Sequence, residues 1–324
     1  MFDTAVLFLI FNRPSETEKV FDQILKIKPR YLFIAADGPR KDKPGEIEIC
    51  SEVRRIIIDN VDWDCELKTL FREDNLGCGR SVSEAITWFF NHVDQGIILE
   101  DDCLPDQSFF YYCQELLEKY KNDSQIISIG GTNLGYSFNN NQSYSFSNFM
   151  NMWGWATWKR SAILVDYNLD KWKRMPFKKL FLMSRLGIGN SFDLNWINYW
   201  KNYFNLTASG EINTWDYQWV FTQLLYRKKS IFPSKNLIKN IGFTQNATHT
   251  VFPDHPVASL NIQSLKTPLI HPDNKEVDKV YENGFIKKVW VGINSDSLFK
   301  ITKTKLLYIP FVNKINNWVK KFNA

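Results

Sequence analysis

Through its first 130 residues the chain alternates short apolar runs with amphipathic stretches, the pattern of strands joined by helices. Thr4 to Phe11 reads as a buried strand, Glu16 to Ile27 as a helix opened by Ser15, and Tyr31 to Ala36 as a second strand ending in Asp37-Gly38. A helix from about Gly45 to Asn60 follows, then a strand from Glu66 to Phe71 and a helix from about Gly79 to His92. The strand Gly96 to Leu99, a helix from about Ser108 to Tyr120 and the strand Gln125 to Ile129 complete the series. Such alternation predicts an α/β chain with a mostly parallel central sheet flanked by helices. In open sheets of this kind ligands bind beyond the carboxyl ends of the strands. Three of those ends carry polar residues suited to a nucleotide: Asn12-Arg13 after the first strand, Asp37 after the second, and Glu100-Asp101-Asp102 after Gly96–Leu99.

After about Gly130 the alternation stops. Ser137 to Phe149 is rich in Asn and Ser and reads as a surface loop or edge hairpin. Residues 150 to 240 carry Trp153, Trp155, Trp158, Trp172, Trp196, Trp200, Trp215 and Trp219. Indole walls suit the C–H faces of sugar rings, although large aromatics are more often simply buried. No internal repeat is visible.

The composition is globular, with 44% hydrophobic and 23% charged residues, and a 15% aromatic fraction adds to the expectation of a ligand-lined cleft. Five scattered cysteines without a C-x-x-C pair indicate neither a zinc ribbon nor a disulfide framework, which points to a reducing cytoplasm. The apolar run Ala5–Phe11 is followed at once by Asn12-Arg13-Pro14, too short for a signal peptide or a membrane span. The net charge of +5 is unevenly placed. Residues 286–324 hold eight lysines and one acid, Asp296, for a net +7, so the remainder sums to −2. That segment mixes lysines with large apolar residues and fits either an interfacial element on an anionic membrane or a terminal segment packed on the domain. It contains no arginine, and binding to nucleic acid is not expected.

The run Gly96-Ile-Ile-Leu-Glu-Asp-Asp102 places three carboxylates at the end of a buried strand. Clustered negative charge of this kind calls for a cation or a ligand carrying one. Hard oxygen donors suit Mg²⁺ or Mn²⁺, usually held by one or two carboxylates with substrate phosphates completing the shell. The same acids also fit a solvated turn in which Asp102 caps the helix beginning near Asp106. Gly77-Cys78-Gly79 lacks a G-x-G-x-x-G frame and reads as a mobile lead into the following helix.

The ordered set Asn12-Arg13-Pro14, Ala36-Asp37-Gly38, Arg80, Leu99-Glu100-Asp101-Asp102, Gly154-Trp155 and Trp215-Asp216-x-x-Trp219 resembles the GT-A-fold (Rossmann-like) glycosyltransferases related to N-acetylglucosaminyltransferase I, over roughly Ala5 to His249. The resemblance implies Asp102 as ligand to Mn²⁺, Glu100 and Asp101 on the sugar and ribose, Arg13 near the phosphates, and Asp37 reading the base. Arg80, Asn12, Trp155 and Trp215 join the candidate nucleotide-sugar contacts. His249 stands in a loop that closes over the donor in that family, although a lone polar-loop histidine is more often solvated. Arg80 fits equally an exposed pair with Glu84 at i+4. Asp216 takes the place of the catalytic base of an inverting transferase. It also fits an acid in the first turn of a helix.

The resemblance implies a nucleotide-diphosphate sugar donor, with UDP-GlcNAc the best single guess on that ground alone, and a glycan or lipid-linked glycan acceptor. Residues 1–285 form the catalytic domain, with 1–130 on the nucleotide side and a mixed acceptor-side half over 131–285. The basic segment 286–324 is set apart. Lys171 to Gly210 has no counterpart in the family. A chain rich in Lys, Ile and Asn without an N-terminal anchor fits a bacterial enzyme of polysaccharide or lipopolysaccharide synthesis, cytoplasmic or peripheral on the inner membrane face. A sugar-nucleotide nucleotidyltransferase would share the sheet and acids but needs a glycine-rich phosphate loop after the first strand. A non-catalytic sugar-nucleotide or glycan-binding module would not need Asp216.

Overall fold

The computed structural model describes residues 2–138, 140–186, 194–242, 257 and 260–282. In the first half, β1 (Ala5–Ile10), α1 (Pro14–Ile27), β2 (Tyr31–Ala36), α2 (Glu46–Ile58), β3 (Glu66–Phe71), α3 (Cys78–His92), β4 (Gln95–Glu100), the short β5 (Cys103–Pro105), α4 (Gln107–Lys119) and β6 (Ile126–Gly130) follow the expected order, except that β5 was not foreseen. The boundaries differ by small amounts. Helix α1 begins at Pro14 without a side-chain cap, not after Ser15, because proline already has the helical φ and lacks the N–H that a first helical residue would leave unpaired. It ends at Lys28, left-handed at φ 46°, whose N–H returns to Ile24 O. Asp106, not Asp102, caps α4, accepting from the Ser108 N–H at 2.9 Å.

The second half adds β7 (Tyr144–Ser147), β8 (Trp155–Trp158), α5 (Lys159–Ala162), α6 (Asp170–Arg174), α7 (Lys178–Leu186), α8 (Leu194–Ala208), α9 (Asp216–Leu225), β9 (Lys229–Pro233) and β10 (Ile238–Asn240). Its strands extend the same sheet, whose order is β3-β2-β1-β4-β8-β6-β9-β7, while β5 and β10 form a separate antiparallel pair. Strands β1 to β4 are mutually parallel, as is the β6–β9 pair; β8 runs antiparallel to β4 and β6, and β7 antiparallel to β9. This is the expected mostly parallel α/β arrangement, with antiparallel strands in its second half.

Because helices cover both faces, all six residues of β1 are buried. Alternate side chains enter opposite layers. Val6, Phe8 and Ile10 pack in one cluster with Val20, Phe21 and Ile24 of α1, and Ala5, Leu7 and Leu9 in the other with Ala85, Ile86 and Phe89 of α3. The Asn- and Ser-rich stretch supplies β7 as the edge strand. Trp155, Trp172, Trp196, Trp200 and Trp219 are all fully buried, and with Phe204 and Phe221 they form an aromatic core beneath α6 to α9. Among the described residues no helix is long and apolar enough to cross a membrane.

Glu282 fastens the last described segment to β7. Its Oε1 accepts the Ser147 hydroxyl at 3.0 Å and the Asn148 N–H, and its Oε2 accepts from the Asn148 side-chain amide at 3.1 Å. Burial nonetheless outweighs these donors and raises its pKa above the ordinary carboxylate value. An acid whose folded pKa is raised contributes stability that is fully present below its unfolded pKa, about 4.3, and is lost as pH rises through the folded value. Urea denaturation of a Glu282→Gln variant across this range should therefore show a shallower decline with rising pH than the parent protein. An unchanged slope would mean that Glu282 does not titrate differently on folding.

Candidate active site

Strand register assembles the site. In the parallel pairings Ile10 lies opposite Ala36 and Leu9 opposite Glu100, so the residues immediately beyond β1, β2 and β4 emerge at one height on one edge. The chain leaves β1 toward β2 on one side and returns as β4 on the other, which makes this edge the topological switch point of the sheet. A cleft of about 550 Å³ opens there. Asn12, Arg13, Asp37, Glu100, Asp101, Asp102, Trp215 and Asp216 all line it, although the last two come from more than 100 residues further along the chain.

Charge is poorly balanced in this cleft. The Arg13 guanidinium reaches Asp102 Oδ2 at 2.8 Å and Asp101 Oδ1 at 3.3 Å, and Asp101 Oδ2 also accepts the Phe11 N–H at 3.2 Å. Burial works against the charge of Arg13, but Asp101, Asp102 and Glu100 outweigh it and raise its pKa. Glu100 is pushed well above the carboxylate range by burial and by the charges of Asp102, Asp101 and Asp216. Asp101 is pushed up to about 7, chiefly by burial. Four carboxylates facing one close guanidinium thus form a site that gains from an added positive charge. Among the described residues no three His, Cys, Asp or Glu side chains are grouped to hold a metal ion by themselves. Asp102 still suits a hard cation. Among the described residues its Oδ1 meets only the Cys103 thiol, at 3.5 Å, and a site completed by substrate phosphates needs few protein ligands. The backbone crosses closely over the same carboxylate at Gly242, where a Cβ would lie 2.2 Å from Asp102 Oδ2; the β5–β10 pair brings it there.

Asp37 has a structural task that its sequence position did not disclose. Its Oδ1 accepts the N–H groups of Gly38 and Leu76, each at 2.9 Å, and its Oδ2 accepts from Gly77 N–H at 3.0 Å and Asn75 Nδ2 at 3.1 Å. These four bonds fill the acceptor capacity of a carboxylate. Asp37 therefore holds the 75–77 turn against the end of β2. Arg54 braces the same corner, donating to Asp37 O at 3.0 Å and Arg72 O at 2.6 Å.

Asp216 is the first residue of α9. Its Oδ1 accepts the Thr214 hydroxyl and, at 2.9 Å, the Tyr217 N–H, while Oδ2 accepts no hydrogen bond among the described residues. Its loop is clamped to α3. Asn213 Oδ1 accepts the Gly79 N–H at 2.9 Å, and a Cβ on Gly79 would lie 2.5 Å from that oxygen and 2.8 Å from Thr214 O. Gly77, at φ 79°, is equally close to Asn213. The Gly77-Cys78-Gly79 element, expected to be a mobile lead, is instead the seat on which the Asp216 loop rests. Cys78 also lines the cleft, where burial and then the neighbouring acids raise its thiol to about 12 and disfavour the thiolate.

Two expected contacts lie elsewhere. Trp155 is fully buried behind the cleft wall, stacked on Trp215 at 5.8 Å and edge-on to Trp219 at 4.8 Å, because β8 is an interior strand whose side chain here enters the core. Arg80 projects into solvent from α3 and pairs with Glu84 at 2.7 Å, which also binds Arg72 at 2.7 Å. His249 and the segment 286–324 lie outside the described residues. Of the other tryptophans read from the sequence, Trp153 lines the cleft, and so, without having been foreseen, do Arg40, Asn75, Thr214 and Asn240. Arg40 is fixed by Glu46, which also accepts from Asn12 Nδ2 at 2.9 Å. No local signal marks these residues, since the turn and loop packing that brings them in is nonlocal.

No family model matches the chain, and no curated protein does. Solved structures similar to it include a mannosyltransferase from Pyrobaculum calidifontis in complex with GDP-Man and Mn²⁺, at 13% identity and TM-score 0.32. That match covers 54% of this chain and 48% of the mannosyltransferase, so the chain spans about half of its length. Mouse xyloside xylosyltransferase 1 matches at 11% identity and TM-score 0.31, over 69% of this chain and 82% of its own. A 4-diphosphocytidyl-2C-methyl-D-erythritol synthase from Anaerococcus prevotii matches at 10% identity and TM-score 0.32, over 69% and 98%. Likeness at this level assigns no activity.

The four bonds at Asp37 make a local forecast. Asp37→Ala should lower stability by about 2 kcal/mol or more in urea denaturation, through the stranded donors of the turn. It should also speed amide exchange at Leu76 and Gly77 while leaving β1 protected. Unchanged exchange there would show that the turn is held by other contacts.

Proposed function

We propose that the protein is a metal-assisted, inverting glycosyltransferase that moves a sugar from a nucleotide diphosphate to a hydroxyl of a glycan or lipid-linked glycan. The observation that carries this reading is the meeting in one cleft of Arg13, Glu100 and Asp102, at the ends of β1 and β4, with Asp216 at the start of α9. The first group suits a diphosphate and the last suits an acceptor hydroxyl. A nucleotidyltransferase would use the same edge of the sheet, but the Phe11-Asn12-Arg13-Pro14 turn is not the glycine-rich phosphate loop it requires. A binding module would have no use for a carboxylate with an uncommitted oxygen on the acceptor side.

In this mechanism Asp216 Oδ2 takes the proton of the acceptor hydroxyl as its oxygen bonds to the anomeric carbon. The bond from that carbon to the diphosphate breaks on the opposite face, and the configuration inverts. Thr214 and the Tyr217 N–H hold Oδ1, which fixes the direction of Oδ2. Arg13 stands where the diphosphate charge would lie. Mn²⁺ or Mg²⁺, held by Asp102 and the phosphates of the donor, would neutralise charge on the leaving group. Glu100 and Asp101 border the place for the sugar and ribose, and the base is received by the turn that Asp37 holds. Trp215 walls the acceptor side. The donor assigned is UDP-GlcNAc, on the sequence resemblance alone, with residues 1–130 on the donor side and 131–285 on the acceptor side. The setting proposed is the bacterial cytoplasm or the inner membrane face, in synthesis of surface polysaccharide or lipopolysaccharide.

A thermal-shift panel of UDP-, GDP-, CDP- and dTDP-sugars with Mn²⁺ or EDTA should show stabilisation by one nucleotide class only when metal is present, since ligands of the native state raise its apparent stability. Asp102→Ala should abolish that metal-dependent shift; a shift that survives would move the metal site. Asp216→Asn should keep donor binding in calorimetry yet lower turnover on the order of a hundredfold. Full activity in this variant would place the base elsewhere.

A further inference from the structure

The flank formed by α6, α7 and the corner after α9 shares no residue with the cleft lining, yet it carries a strong surface pattern. Between Lys171 and Arg185 the sequence has six cations and no acid. Of these, only Lys173 pairs with a carboxylate among the described residues, Asp170 at 3.5 Å. Between the two helices stands Phe177, 80% exposed, and one turn on is Leu180, 63% exposed. Phe177 has φ 53°, in the left-handed region that favours glycine. A phenylalanine here sets an apolar ring in water on a backbone that disfavours any side chain, so neither solvation nor local geometry accounts for it. The rest of the segment is firmly seated, with Trp172 and Leu182 fully buried and Trp172 packed edge-on to Phe221 of α9.

Beside this ridge lies a recess of about 160 Å³ lined by Arg185, Arg227 and Lys228 with Asn148, Ser184, Gln223 and Leu224, and no acid. Arg185 Nε donates to Leu224 O at 2.9 Å, and Lys171 Nζ reaches the Tyr226 hydroxyl at 2.6 Å, so ridge and recess belong to one surface. The pKa of Arg185 is lowered chiefly by burial and further by the neighbouring charge of Arg227.

We propose that this flank docks on an anionic lipid surface. Phe177 and Leu180 enter the boundary between headgroups and acyl chains, while Lys173, Arg174, Lys178 and Lys179 lie in the headgroup layer with their alkyl stems along it. The recess between Arg185, Arg227 and Lys228 accepts a headgroup phosphate. A bilayer meets both halves of the pattern at once, supplying negative charge to the cations and an apolar phase to two side chains that stand away from the core. A nucleic acid would satisfy only the first half. Helix α9 runs from Asp216 in the cleft to this flank and spans about 15 Å, so a docked molecule would carry its cleft close above the membrane. The inference stands independently of the transferase reading. It also differs in place from any contact through residues 286–324.

The test is sedimentation of the full chain with vesicles of phosphatidylcholine, with or without roughly 30% phosphatidylglycerol, at low and high salt. Binding should require the anionic lipid and weaken with salt. Lys178→Glu combined with Lys179→Glu should lower partitioning on the order of tenfold or more. Phe177→Ser combined with Leu180→Ser should lower it while leaving melting temperature and donor binding unchanged, because both side chains are exposed. Equal binding to the two vesicles, no binding to either, or full binding by both variants would overturn the proposal; the last result would place the contact elsewhere in the chain. Self-association of the parent protein that Leu180→Glu abolishes would assign the face to a second copy and would equally overturn it.

Discussion

The parallel pairing of β1 with β2 and β4 is the constraint on which the rest of the molecule depends. Parallel strands in register deliver their carboxyl ends to one edge, and their side chains must be buried on both faces, which leaves polar residues only beyond the last paired position. Asn12-Arg13, Asp37 and Asp101-Asp102 occupy those positions, and Glu100 is the last paired residue of β4. The sheet thus concentrates acids where water is partly excluded, and Arg13, paired with Asp101 and Asp102, answers part of that charge within the protein. The surplus remains available to a ligand that brings cations.

The second half of the chain completes the cleft by packing rather than by pairing at its edge. Strand β8 inserts beside β4 in the opposite direction, and Trp155 on it becomes the floor on which Trp215 stacks and against which Trp219 packs edge-on. This aromatic contact sets the start of α9, and with it Asp216. From the other side Gly79 and Asn213 join the loop to α3 at a separation that admits no side chain. The carboxylate is therefore fixed by one contact from each half, an arrangement suited to a residue whose direction matters to chemistry.

Two surfaces with different physical demands follow from one helix. The first residue of α9 faces a cleft of negative charge, while its far end adjoins a flank of positive charge and exposed apolar side chains. Trp172, Phe204 and Phe221 pack edge to face between α6, α8 and α9 in the body that separates the two.

Much of the first half was legible in the sequence. Apolar runs of strand length between amphipathic stretches reproduce β1 to β4, β6 and α1 to α4 to within about two residues, because local periodicity reflects burial on a sheet. The acid triplet and Asp216 were legible as candidates because clustered carboxylates and a Trp-Asp-x-x-Trp spacing are local patterns. What the sequence left open are matters of long-range contact. Trp155 and Trp215 are both indoles in aromatic company, and only β8's place inside the sheet turns the first into core and leaves the second on the cleft. Asp37 stands at a strand end like the other acids, yet the donors of Gly38, Asn75, Leu76 and Gly77 fill its oxygens, and three of the four belong to a turn some forty residues away. Arg80 has the charge for a phosphate, but its place on α3 points it at Glu84. Residue type and spacing determined which elements form and which chemistry is available. Tertiary structure alone decided which polar groups remain unspent, since a hydrogen bond or ion pair to a distant segment leaves no mark in local sequence.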